Sequence, residues 1–379
     1  MKMELTAEQR TSQESFRAFV EEAIVPYADS FDQEEYTPPD LIKKIGQQGY
    51  LGALIAPEWG GRGMDMITFG ILNEEFGRGC SSLRSLLTVH SMVTYAIQRW
   101  GDRRQKEHWL PRLAAGEAIG AFALSEPNAG SDARGIETHA SLRGDTYILN
   151  GRKKWITYGE IADVYLLFAQ CEGTVSAFLV ESNSPGFSRK PLRGMVGTRA
   201  SMIAELILED CQVPAANAVG KKGFGVASVT TSALDIGRYS VACGCVGIIQ
   251  ACFEASRRYT SERKQFDTLL KNQQLIQQMM TGMITNLRAA RLLCYNAGYL
   301  KDIGAPNTIM ETWIAKYFAS TAAARIASDA VQIHGANGCS SDYPVQRYWR
   351  DTKVMEIIEG STQIQEINIA GYGYQGLYA

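Results

Sequence analysis

Apolar residues along this chain change their spacing twice, and the two changes divide it into three stretches. Up to about residue 118 they recur at helical intervals. Phe16, Phe19, Val20, Ile24 and Val25 fall along one face of a 3.6-residue repeat. Ahead of them, Thr6 with Gln9 has the form of a capping box, in which a hydroxyl accepts from a backbone N–H that the first turn leaves unpaired. Pro38, Pro39 and Asp40 predict the start of a second helix, and Pro57, Gly60, Gly61 and Gly63 a glycine-rich loop. Further helices are expected over 82–101 and 105–115.

From about 119 to 220 the repeat shortens towards two. Runs at 119–124, 138–142, 146–150, 154–157, 164–169, 175–180 and 203–208 are separated by Gly, Asn, Asp and Pro, which predicts an antiparallel β barrel or sandwich. Beyond about 223 long helices return, at roughly 225–263, 273–301 and 306–333. The expected fold is therefore α+β. An N-terminal helical domain covers 1–118, a middle β domain 119–222, and a C-terminal antiparallel four-helix bundle 223–379.

Composition works here by exclusion. A chain of 379 residues is long for one core and predicts two or three packed units. A net charge of −2 gives neither a nucleic-acid footprint nor a polybasic membrane patch. No window reads as continuously apolar over the roughly 20 residues of a membrane span, and the opening residues lack a secretory stretch. A cytoplasmic protein without nucleic-acid partners or membrane insertion is expected. The eight cysteines include no Cys-x-x-Cys pair and the four histidines are isolated, so no metal site is expected and the thiols read as small buried hydrophobes.

Four segments carry the candidate chemistry. Residues 124–132, from Leu124 through Ser125 and Ser131 to Asp132, leave a strand and set two hydroxyls among small residues, as either a ligand loop or an ordinary turn. In the next β section Trp155 is placed either to cover a flat ring or to fill a core, with the Thr157 hydroxyl close by. Arg263, Phe266 and Gln274 sit where one long helix gives way to the next. The arginine's planar fork suits a pyrophosphate there, or simply a solvated loop. Near the C-terminus, Gln332, Gly335 and Ala336 precede Glu359, Gly360, Ser361 and Thr362, a carboxylate beside a polar turn. No glycine-rich dinucleotide fingerprint or Walker loop is present.

Taken in order, the runs 124–132, 332–338 and 358–365 resemble the signatures of the acyl-CoA dehydrogenase flavoproteins, over nearly the whole chain. That resemblance implies FAD between the β domain and the bundle. Phe122, Leu124, Ser125, Trp155, Thr157, Thr362 and Gln363 would contact it, while Arg263, Phe266, Gln274, Gln332, Gly335 and Ala336 would reach the FAD of a neighbouring subunit. A homodimer or homotetramer follows. Ser131, Arg238 and Gly360 would line the acyl thioester, carried on CoA or an acyl carrier protein, and Glu359 would be the base that takes the α-proton while the β-hydrogen leaves as hydride.

Several positions depart from the family pattern. Asp267 and Ala336 replace glycines, Ile358 stands where an aromatic is frequent, and Gly371 follows Ile369 and Ala370 where an arginine is customary. The runs 82–90 and 196–205 resemble the branch that prepares hydroxymalonyl-, methoxymalonyl- or aminomalonyl-type extender units for polyketide and peptide antibiotics, or else simply pack helices on the β domain. Short-chain acyl-CoA catabolism, and an oxidase or monooxygenase on the same scaffold, are the alternatives, with His90 and His334 as structural or reactivity-tuning histidines.

Overall fold

A computed structural model describes residues 4–376. The capping box forms. Thr6 accepts from the Gln9 N–H, and the Gln9 side chain accepts from the Thr6 N–H, opening α1 (Ala7–Ala23). Next come α2 (Ala28–Glu34) and α3 (Pro39–Gln47), the second starting on Pro39, where the missing N–H costs nothing. Periodicity gave no sign of α4 (Met66–Gly79). It is buried along almost its whole length, so no polar face marks it. α5 (Ser81–Trp100) and α6 (Arg103–Ala115) complete the N-terminal helices.

Eight strands follow: β1 (Gly120–Ala123), β2 (His139–Arg143), β3 (Thr146–Ile156), β4 (Val164–Cys171), β5 (Thr174–Glu181), β6 (Phe187–Pro191), β7 (Ala204–Pro214) and β8 (Ala218–Val219). They pair in the order β6-β7-β3-β2-β4-β5-β8, with β1 against β4. Two expectations are corrected. The runs 146–150 and 154–157 form largely one strand, β3, because Gly151 sits at a register shift against β7 instead of a turn. Nor is the sheet antiparallel throughout: β1 and β2 both run parallel to β4, reached by long connections that no hairpin constrains. β6 escaped notice because its residues are largely polar and exposed, as befits an edge.

β4 ties the units together. Tyr165, Leu167 and Ala169 belong to one core with Tyr147 and Phe178. The alternating Val164, Leu166 and Phe168 join Met92, Val93 and Ile97 of α5 and Leu110 and Leu113 of α6 in another. A strand covered on both faces reads as a continuous apolar run, which this one is.

A π-helical turn (Gly225–Thr230) leads into α7 (Thr231–Glu262). The β9–β10 hairpin (Lys264–Gln265, Thr268–Leu269), α8 (Gln274–Asp302), α9 (Thr308–His334), α10 (Val345–Ile357) and α11 (Thr362–Tyr374) complete the described chain. α7 and α9 run the same way: Arg238 lies over the Trp313 ring near their starts, and Tyr259 stacks on His334 at 4.2 Å near their ends. The stretch Gly225–Glu262 is long and apolar enough to cross a membrane, contrary to the sequence reading. Yet 89% of its apolar window is buried within the protein, as in a core helix. Seven cysteines are buried as expected, but Cys339 is exposed.

Both runs singled out for the extender-unit branch lie at joints between units. Ser82 Oγ accepts from the Ala200 N–H at 3.2 Å, and the Tyr158 hydroxyl donates to the Ser82 carbonyl at 3.1 Å. The Thr198 N–H donates to Asp351 of α10 at 2.6 Å.

Candidate active site

α10 ends at Ile357, and the next residues turn through the left-handed region, with φ of 57° at Glu359 and 93° at Gly360. For a glutamate that conformation is disfavoured by about 1–2 kcal/mol, so it needs support from outside the turn. Support comes from three sides. Arg238 Nε of α7 donates to the Glu359 carbonyl at 3.0 Å, Lys316 Nζ of α9 to the Gly360 carbonyl at 2.7 Å, and Gln365 Nε2 of α11 to both at 3.1 Å. Ser361 caps α11, and the Thr362 hydroxyl donates to the Glu356 carbonyl at 3.3 Å, while Gln363 is exposed.

The Glu359 side chain points into the protein. Its Oε2 is buried and has no hydrogen-bond partner among the described residues. A β-carbon added at Gly237 of α7 would lie 2.5 Å from that oxygen and 2.8 Å from Met92 Sδ, so only glycine leaves room for the carboxylate. Burial pushes the Glu359 carboxyl up to about 7, against the opposing charges of Arg238, Arg84 and Lys316.

Arg84 lies two turns from Met92 along α5 and is completely buried. Its guanidinium donates to Thr88 Oγ1 at 2.7 Å and Ser85 Oγ at 3.0 Å and touches Met355 Sδ, while Nε is unpaired. No carboxylate lies within ion-pair distance of it among the described residues, and burial lowers its affinity for the proton. A buried cation without a counter-ion costs several kcal/mol, so this one is an expensive feature.

Across the middle domain, Phe122 is half-buried against Phe168, with ring centroids 5.2 Å apart, and Leu124 is buried. The carbonyl of Ser125 accepts from the Lys154 N–H at 2.9 Å, which sets the 124–132 loop beside the end of β3. Trp155 sits at the register shift ending that strand, with φ of 65°, and half of it is exposed, so it is not the core tryptophan the alternative reading allowed. The hydroxyls of Ser125, Ser131 and Thr157 make no hydrogen bonds among the described residues. What holds the loop went unremarked in the sequence. Lys153 Nζ, fully buried, donates to Glu126 at 2.6 Å and to the Leu124 carbonyl at 3.2 Å, and Glu126 also accepts from the Thr138 N–H. Burial brings Lys153 down to about 8; burial would raise Glu126, but the lysine beside it prevails and holds it low.

The remaining candidates lie elsewhere. Arg263, Phe266, Gln274, Gln332, Gly335 and Ala336 are all exposed and gather where α7 and α9 end and α8 begins. Tyr259, at that end, is 22 residues beyond Gly237, roughly 33 Å along the helix. One chain does not bring this group to Glu359.

His90 is structural. It is buried between the Leu113 carbonyl and the Gly120 N–H, and burial lowers it to about 4. His334 bonds the Ala330 carbonyl and stacks on Tyr259.

Three family models, for the N-terminal, middle and C-terminal domains of acyl-CoA dehydrogenases, match residues 6–117, 121–211 and 222–372. This chain belongs to the acyl-CoA dehydrogenase family. As a member it is an FAD-dependent oxidoreductase. It is 38% identical to a short-chain specific acyl-CoA dehydrogenase of Clostridium acetobutylicum, over 98% of this chain and 99% of that protein. It is 40% identical to an acryloyl-CoA reductase (NADH) of Anaerotignum propionicum (98% and 95%), and 37% to a glutaryl-CoA dehydrogenase of Desulfococcus multivorans (98% and 97%).

Among solved structures, butyryl-CoA dehydrogenase of Megasphaera elsdenii superposes with a TM-score of 0.94 at 34% identity, covering 98% and 99%. The prolyl acyl carrier protein oxidase AnaB gives 0.93 at 28% (97% and 99%). FkbI, for biosynthesis of a methoxymalonyl extender unit, gives 0.88 at 31% (96% and 99%). The residues present suit a flavin: free hydroxyls, a half-exposed indole beside them and a buried carboxylate with an unclaimed oxygen.

Proposed function

We propose that this enzyme oxidises a short acyl thioester, with Glu359 as the base that removes the α-proton. One observation carries the reading: an unpartnered, buried carboxylate oxygen in a turn that three neighbouring helices hold in place. A carboxyl near 7 has the affinity a general base needs at neutral pH. The Glu359 N–H, also without a partner among the described residues, is free to meet the thioester oxygen and stabilise the enolate charge. Bound FAD supplies the hydride acceptor. Ser125, Thr157 and Trp155 would hold its ring system, with Phe122, Leu124, Thr362 and Gln363 around it. Ser131, Arg238 and Gly360 would flank the substrate. Arg263, Phe266, Gln274, Gln332, Gly335 and Ala336 would serve the cofactor of a second copy in a homodimer or homotetramer.

Arg84 favours an acyl group that ends in an acidic function, since an anion would supply the counter-ion and the Nε partner that its buried guanidinium lacks. Likeness to AnaB and FkbI supports a second reading, in which that acyl group arrives on a carrier protein. The test is anaerobic bleaching of the flavin by butyryl-CoA, glutaryl-CoA and their carrier-bound equivalents. Equal rates with butyryl and glutaryl thioesters would remove the acidic-end reading. Equal rates with CoA and carrier thioesters would remove the carrier reading. Undiminished bleaching by the Glu359→Gln variant would remove the base.

A further inference from the structure

Lys316 is buried to the last atom in the middle of the C-terminal helices, and a lysine there needs a reason. Its ammonium donates to the Gly360 carbonyl at 2.7 Å, and no carboxylate lies within ion-pair distance of it among the described residues. A neutral donor would satisfy a carbonyl without the cost of burying a charge. Gln365, already on the same carbonyl at 3.1 Å, shows that an amide can do so. The charge is therefore surplus to the hydrogen bond, and Glu359 is the carboxylate beside the carbonyl it grips.

We propose that Lys316 is a positioning residue for Glu359. It locks the left-handed Glu359–Gly360 turn and supplies the positive field that keeps the Glu359 carboxylate ionised despite its burial. This rests on the reading of Glu359 as the base. The groups facing Glu359 are Arg84 from α5, Arg238 from α7 and Lys316 from α9. Those facing Lys316 are Cys245 and Arg238 from α7, Glu356 from α10 and Glu359. Arg84 also bonds Thr88 and Ser85, and Arg238 holds the Glu359 carbonyl and lies over Trp313. Burial has brought Lys316 down to about 8 and lowers Arg84 and Arg238 from the ordinary arginine range.

The test uses FAD-loaded enzyme and the variants Lys316→Met, Lys316→Gln and Lys316→Arg. Two quantities are read against pH: the rate of flavin reduction, and the infrared band of the protonated carboxyl, identified as the one absent from Glu359→Gln. In Lys316→Met and Lys316→Gln both midpoints should rise by about one unit or more, the shift expected when a cation near a carboxylate is lost. At pH 7 kcat should then fall about fivefold or more, largely recovering at pH 9, with KM little changed. Lys316→Arg should restore the wild-type midpoint.

Should Lys316→Met fail to fold or to keep its flavin, the Gln and Arg pair decides alone. Midpoints in Lys316→Gln equal to wild type, whatever the melting temperature, would overturn the proposal. If Glu359→Gln reduces flavin at the wild-type rate, the base assignment fails instead. If it is inactive while the Lys316 variants leave the midpoints unmoved, only the role of Lys316 fails.

Discussion

A carboxyl group holds its proton more tightly once burial removes the water that would solvate its charge, and Glu359 has been lifted in this way to about 7. The base must be ionised to act, so flavin reduction should rise with pH through a midpoint near 7. Stopped-flow rates with a short acyl thioester would show it, and a midpoint near the ordinary glutamate value would contradict the burial argument. Gly237 sets the position of the same group. Gly237→Ala places a methyl 2.5 Å from the carboxylate oxygen and should slow flavin reduction about a hundredfold with FAD still bound, since ångström-scale displacement costs about that much. Glu359 was an expectation of the sequence because the run 358–365 surrounds it, and Arg238 because the family resemblance extends to it. Gly237 and Lys316 were not, and Arg84 only as part of the run 82–90 with no role of its own, because their meaning comes from helices that meet only after folding.

At the scale of elements, β3 and the loop after β1 form one device. The loop carries free hydroxyls, yet its anchor is the Lys153–Glu126 pair, buried on both sides. Charges in a turn and on a strand are usually solvated, so sequence gave no cause to join two residues 27 positions apart. Lys153→Met strands a buried carboxylate and should cost about 3–5 kcal/mol, read from urea unfolding, with FAD released at lower denaturant. Adding Glu126→Gln should recover part of that loss. A double variant no better than the single would mean that Lys153 acts only through the Leu124 carbonyl. Helices with one wet face were legible for the same reason that α4 was not: amphipathic spacing needs solvent to write it.

For the molecule as a whole, the joints between units carry their own titration. Asp351, which receives the Thr198 N–H, is raised by burial to about 6, above its unfolded value, with Arg347 opposing the rise. Between about pH 4 and 6 the native state therefore binds more protons than the unfolded chain, and stability falls as pH rises through that window. Asp351→Asn should flatten that slope in melting curves taken from pH 4 to 7.

Three-part organisation could be read from spacing alone, whereas the parallel pairing of β1 and β2 with β4 could not, because periodicity does not encode strand direction. The separation of Arg263 from Glu359 makes the assembly testable. Inactive Arg263→Ala and Glu359→Gln chains, refolded together as random dimers, should regain about a quarter of wild-type activity, since half the pairs are mixed and each keeps one intact site.

Cys339 lies just beyond Gly335 and Ala336, the single exposed thiol among eight. A maleimide dye would consequently label this protein at one defined place without mutagenesis. Its emission, quenched or restored as flavin and a second chain arrive, would follow assembly from the outside while bleaching follows chemistry within.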